Sequence, residues 1–156
     1  MANPFLVLGG IAVSIITATF GILQVPGWVN SAKDASVYND IDQVTIGEAA
    51  ALSTGGKALE FADLTGAEGA KSGVVINVAA ETVHIEVADN DTDYVVAIAS
   101  ESGNLFGRVN GGEIVKVELS EHAGVVADAL ADLNTELGVV AEGFEEITLA
   151  DLGITP

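Results

Sequence analysis

The chain has no cysteine. Disulfides, thiol nucleophiles and most zinc sites are excluded by that alone. Compartment is not decided, because an exported chain can lack cysteine. Basic residues are scarce: five Lys and Arg stand against 23 Asp and Glu, for a formal charge of -18. Such a chain repels phosphate, which argues against nucleic acid as a partner. It would also be repelled by an anionic membrane surface. Catalytic motifs are missing as well. There is no nucleophile elbow, phosphate loop or zinc motif, so neither an enzyme nor a cofactor is expected. His84 and His122 lie far apart with no catalytic partner beside them, and Glu145-Glu146 reads as a solvated pair.

Against this acidity stand a 49% hydrophobic content and a positive mean hydropathy. The two properties are separated along the chain. Met1 to Ala32 carry no charge, and the first charged residue is Lys33. Phe5 to Val25 is a 21-residue apolar run. As a helix it would rise roughly 30 Å, the thickness of a bilayer core. No basic residue precedes the run, and it is longer than the apolar part of a signal peptide. The expectation is therefore a mature chain whose leader has been removed. Gly10, Ser14 and Ala18 recur at four-residue spacing, a seam that would let helices approach closely. Gly9-Gly10 lies inside the same run and is not a phosphate cradle.

Pro26-Gly27 closes the run, and a proline there kinks or breaks a helix. From Trp28 to Ser53 the pattern becomes amphipathic, with Val37, Ile41, Val44, Ala51 and Leu52 at helical spacing. Asp34, Asp40, Asp42 and Gln43 are expected on the other faces, and Gly55-Gly56 is the stop signal. The expected division is a helix over residues 1–53, apolar to 26 and amphipathic from 27, followed by an acidic head over 54–156.

These features resemble the type IV pilin family, in which an N-terminal residue, often Phe, opens a long apolar helix with a proline at its twenty-second position. Aligning Phe5 with that first residue places Pro26 on the proline. Beyond it, Lys33, Asp34, Ala35, Ser36, Val37 and Asp40 are similar to a segment of actinobacterial-type pilins. The resemblance covers about 50 residues of the chain. It implies a helix whose second half packs on a β-sheet head. It also implies a filament in which the chain's partner is itself, built by membrane assembly machinery. The assembly residues would include Phe5, Gly10, Ser14, Ala18 and Pro26. Location would be the cytoplasmic membrane before assembly and the cell surface after it. The chain departs from the family in two places. The acidic residue that pairs with a neighbour's amine is replaced by Gly9 on this alignment, or by Phe5 when counting from Met1. The C-terminal disulfide common in the family cannot form. Two other readings share the pattern: a pseudopilin of a secretion system, and a bitopic membrane-anchored binding protein.

In the head, residues 54–72 read as a surface loop with a short helical turn. Val74, Ile76 and Val78 alternate as in a strand, as do Val83, Ile85 and Val87. Tyr94 to Ala99 is nearly all apolar, as a central strand would be. Leu105 to Val109 and Glu113 to Leu119 flank Asn110-Gly111-Gly112, a hairpin signal. Ser120 is the expected N-cap of a helix carrying Ala123, Val126, Leu130, Leu133 and Leu137, with Gly138 as its stop. That helix could cover a sheet edge or meet the next subunit. Phe144 to Pro156 should add an extended segment and a turn around Leu149 to Leu152. The fold class is thus α+β: a long kinked helix on a mostly antiparallel sheet of four or five strands, with a C-terminal helix.

Asp89, Asp91 and Asp93 occupy positions one, three and five of a calcium-loop pattern. Position six, normally Gly, is Tyr94, and position twelve, normally Glu, is Ser100. An acidic turn between two strands accounts for the segment better. Asn90-Asp91-Thr92 is formally a glycosylation sequon.

Overall fold

The computed structural model describes the backbone of residues 4–80 and 82–155, and the side chains of 26–80 and 82–155. Helix α1 spans Pro4–Gly55 and runs through Pro26 as one element. It ends where expected, with Gly56 in the left-handed region at φ 72°. Two single turns follow, α2 (Phe61–Leu64) and α3 (Ala67–Ala70). Four strands come next: β1 (Val83–Val87), β2 (Tyr94–Ala99), β3 (Leu105–Val109) and β4 (Val115–Val117). A 3-10 turn, Leu119–His122, leads to α4 (Val126–Leu137).

The strands form one antiparallel sheet in the order β1-β2-β3-β4. Each strand sits beside its sequence neighbour, as short hairpin connections dictate. Alternating side chains divide the core in two. On one face Tyr94, Val96, Ile98 and Phe106 pack with Val37, Ile41 and Val44 of α1. On the other face Val95, Ala97, Leu105 and Val117 pack with Ala129, Leu130, Leu133 and Leu137 of α4. β2 reads YVVAIA because both of its faces are covered. Thus α4 covers a sheet face rather than an edge. Phe144, Ile147 and Leu152 of the C-terminal segment complete its layer. The segment is held there by Asn134, whose side chain bonds both the C=O (2.9 Å) and the N–H (3.1 Å) of Ile147.

β3 reaches α4 closely at Gly107. A Cβ built there would lie 2.5 Å from Leu137 Cδ1 and 3.2 Å from the Val96 carbonyl oxygen. Gly107→Ala is therefore expected to destabilise the chain by about 1–3 kcal/mol, the usual range for overpacking. Urea unfolding of the full chain would measure it. An unchanged midpoint would show that Leu137 yields freely.

Three expectations need correction. Ser120 is not the cap of α4. The chain reverses at Ala123 (φ 52°) and Gly124 (φ 81°), and α4 starts after Val125, which gives no side-chain cap. The segment 74–80 keeps its alternation, with Val75 91% exposed, but lies outside the sheet. Its N–H groups at Asn77, Ala79 and Ala80 donate instead to Gln43 and Asp40 of α1. Side-chain acceptors on the helix take the place of a strand neighbour. Lastly, Asp34 and Asp40 do not lie on an outer face: they are buried. Asp42 does lie outside, pairing at 2.8 Å with Arg108.

Candidate functional site

Burial along α1 begins abruptly. Pro26 to Ala32 are exposed, including Trp28 at 68% and Val29 at 47%. Two turns of uncharged helix are thus left largely uncovered by the head. At Asp34 the helix locks onto the sheet. The Asp34 carboxylate accepts bonds from Ser100 Oγ (2.9 Å), Ser102 Oγ and Asn104 Nδ2 (2.9 Å). Lys116 Nζ of β4 lies 3.1 Å away. Burial pushes this carboxyl up, but the donors Ser102, Asn104, Lys116 and Ser100 together outweigh it and hold it below the ordinary value. Lys116 is pushed up by its bond with Glu118. Burial opposes that rise and Asp34 adds to it.

Beside this lock lies a groove of about 520 Å³. Its walls come from four places in the sequence: α1 from Val29 to Asp40, the residues Ala79, Ala80 and Thr82, the end of β2 with Ser100 and Glu101, and Leu152-Gly153. Its charged members are already engaged. Asp40 accepts the N–H groups of Ala79 (3.0 Å) and Ala80 (2.9 Å). Lys33 pairs with Glu101 at 3.1 Å.

A third acid of α1, Glu48, is fully buried. Its Oε2 accepts the Leu59 N–H at 3.0 Å, while Oε1 is buried without a partner. Burial pushes its pKa up to about 7 against the lowering effect of the Leu59 N–H. Asp34, Ile41 and Glu48 stand seven residues apart, on one stripe. The helical spacing could have placed both acids on the buried face, because Glu48 fills the gap between Val44 and Ala51.

The expected assembly residues Phe5, Gly10, Ser14 and Ala18 have side chains outside the described residues. So does the expected membrane span, Phe5 to Val25. Pro26 is described and exposed. Among the described residues no helix is long and apolar enough to cross a membrane.

Asp89, Asp91 and Asp93 fall in the turn between β1 and β2, with Asp91 left-handed at φ 61°. The turn closes through the Asp91 N–H to the Ala88 carbonyl (2.9 Å) and the Ala88 N–H to the Asp93 carbonyl (2.9 Å). The Asp93 carboxylate accepts the amides of Asn90 and Asn110. Among the described residues no three His, Cys, Asp or Glu side chains are placed to hold a metal ion. His84 and His122 stay apart, 3.9 Å from Glu86 and 3.4 Å from Asp132 respectively.

No family model matches the chain, and neither a curated protein nor a solved structure matches it.

Proposed function

We propose that this chain is the structural subunit of an extracellular, type IV pilus-like helical filament. One observation carries the reading. A single helix, α1, is charge-free through Ala32, and its turns from Pro26 to Ala32 stand exposed before it locks into an acidic head at Asp34. An uncharged helical extension on a chain of charge -18 is built to be buried elsewhere. Each large apolar side chain so buried contributes about 1.5–3 kcal/mol.

In this reading residues 5–25 first sit in the cytoplasmic membrane. Assembly machinery then extracts the subunit, and the apolar helices stack in the filament core. A bend at Pro26 would let the helix leave the core at an angle to the head. The contact is heterologous and non-closing, as a fibre requires. The mutually repelling acids of the heads face solvent. The reading assigns no catalysis: Asp34, Asp40 and Glu48 each accept bonds that fix the helix to the head.

Electron microscopy of material sheared from the native host's surface, with mass spectrometry of its peptides, tests the proposal. Thin helical filaments containing this chain are expected. Smooth cells that hold the chain only in their membranes would overturn it.

A further inference from the structure

We infer that the groove between α1 and the head is a docking site for a second copy of this chain, and that it takes the charge-free helical segment 5–25 of that copy. The inference rests on the filament reading and deepens it by naming the contact on the head.

The charge distribution selects the occupant. Of the 23 acidic residues, Asp34, Asp40, Asp42 and Glu48 precede residue 54, which leaves 19 in the head with only Lys57, Lys71, Arg108 and Lys116 to offset them. Two heads brought together would repel. Residues 1–32 are the longest stretch of the sequence without charge, and they carry no such penalty.

The chemistry of the groove agrees. Val29, Ala32, Val37, Ala80, Ala99 and Leu152 give it an apolar lining. Its carboxylate Asp40 is committed to two backbone N–H groups, and Lys33 and Glu101 neutralise each other. No charge is left seeking an ionic ligand on those walls. The groove also runs into the exposed turns of α1, since Val29 is both a lining residue and 47% exposed, and Trp28 beside it is 68% exposed. An apolar helix laid in the groove would cover that exposed surface in the same contact. Helix-in-groove packing of this kind supplies large side chains for an apolar slot. The groove is open at about 520 Å³, room for several such side chains.

The chain has no cysteine, so an introduced one is a unique handle. Ala79→Cys marks one wall and Glu101→Cys the other; both residues are exposed, so neither substitution disturbs the core, and only the second releases Lys33 from its ion pair. Each variant is assembled into filaments in the host and then treated with a benzophenone maleimide and irradiated. Unmodified chain labelled with heavy isotopes is mixed in to identify cross-links between copies. The expected product joins the introduced thiol, at position 79 or 101, to a peptide within residues 5–25 of another copy. Maleimide labelling in filaments should fall by about tenfold from its rate in detergent-extracted subunits, as a closed interface excludes water, and the slowly labelled fraction is the one that yields the cross-link. Normal filaments whose cross-links lead to residues 54–155, or whose thiols label at the extracted rate, would overturn the groove assignment and leave the filament reading intact. Failure of the unmodified chain to form filaments would overturn both. If unmodified filaments form and neither variant enters them, the groove admits no such change at either wall, which supports its burial between copies.

Discussion

Asp34→Ala should destabilise the full chain by about 3–5 kcal/mol, the loss expected when one partner of a buried ionic network is removed. The reason is the number of groups it serves. Ser100, Ser102 and Asn104 of the β2–β3 loop and Lys116 of β4 come from two separate stretches of the head, and all direct a donor at this one carboxylate. Each buried donor left unpaired costs about 1–3 kcal/mol. Asp42→Ala is the natural control. It breaks the pair with Arg108, but Asp42 is 58% exposed on its side chain, and an exposed pair is worth at most about 1 kcal/mol. Urea unfolding in detergent, followed by near-ultraviolet circular dichroism, would compare the two. Equal losses for Asp34 and Asp42 would sink the view that Asp34 is the point where α1 locks to the sheet.

That lock shows what sequence periodicity conveys and what it leaves out. Helical spacing locates Val37, Ile41, Val44 and Ala51 on the buried stripe, and Gly56 at the helix end, because each of those signals is local. Alternation locates β1, an unbroken apolar run locates β2, and the Asn110-Gly111-Gly112 turn signal locates β3, for the same reason. Asp34 and Asp40 are expected on outer faces because a carboxylate ordinarily faces water. What allows Asp34 inside is a set of partners 66 to 82 positions away, and no window of neighbouring residues contains them. Residues 74–80 mislead similarly: their alternation is real, but a strand also needs a backbone neighbour, and Asp40 and Gln43 supply side chains instead. Ser120 is a good cap by residue type. It is overruled by the left-handed reversal at Ala123-Gly124, which sets the start of α4. The groove is illegible for the plainest reason, since its walls come from four separated parts of the chain.

The second large effect concerns pH. Glu48 has its folded pKa raised from 4.5 to about 7. Over that interval the folded chain holds a proton that the unfolded chain releases. Stability from this group is therefore fully present below pH 4.5 and is lost as pH rises through about 7. At about 1.36 kcal/mol per unit, the loss amounts to roughly 3 kcal/mol by pH 8. Asp34 acts in the opposite sense. Its folded pKa lies below 3.8, so its contribution is present above 3.8 and falls away in acid. Of these two contributions, the one from Asp34 is lost in acid and the one from Glu48 is lost toward neutrality. Glu48→Gln should remove the upper limb alone. Its carbonyl oxygen can still accept the Leu59 N–H, and no buried charge forms at high pH. The variant should match the parent near pH 5, where the protonated carboxyl likewise holds a buried donor without an acceptor, and exceed it at pH 8 by up to about 3 kcal/mol. Tyr94 gives an independent readout. Burial and then the nearby Glu48 charge push its phenol up, with Thr45 and Arg108 opposing, so Glu48→Gln should lower the pH at which Tyr94 ionises. Parallel stability curves for parent and variant from about pH 5 to 8 would mean that Glu48 is not the group that titrates, and that its bare oxygen finds water.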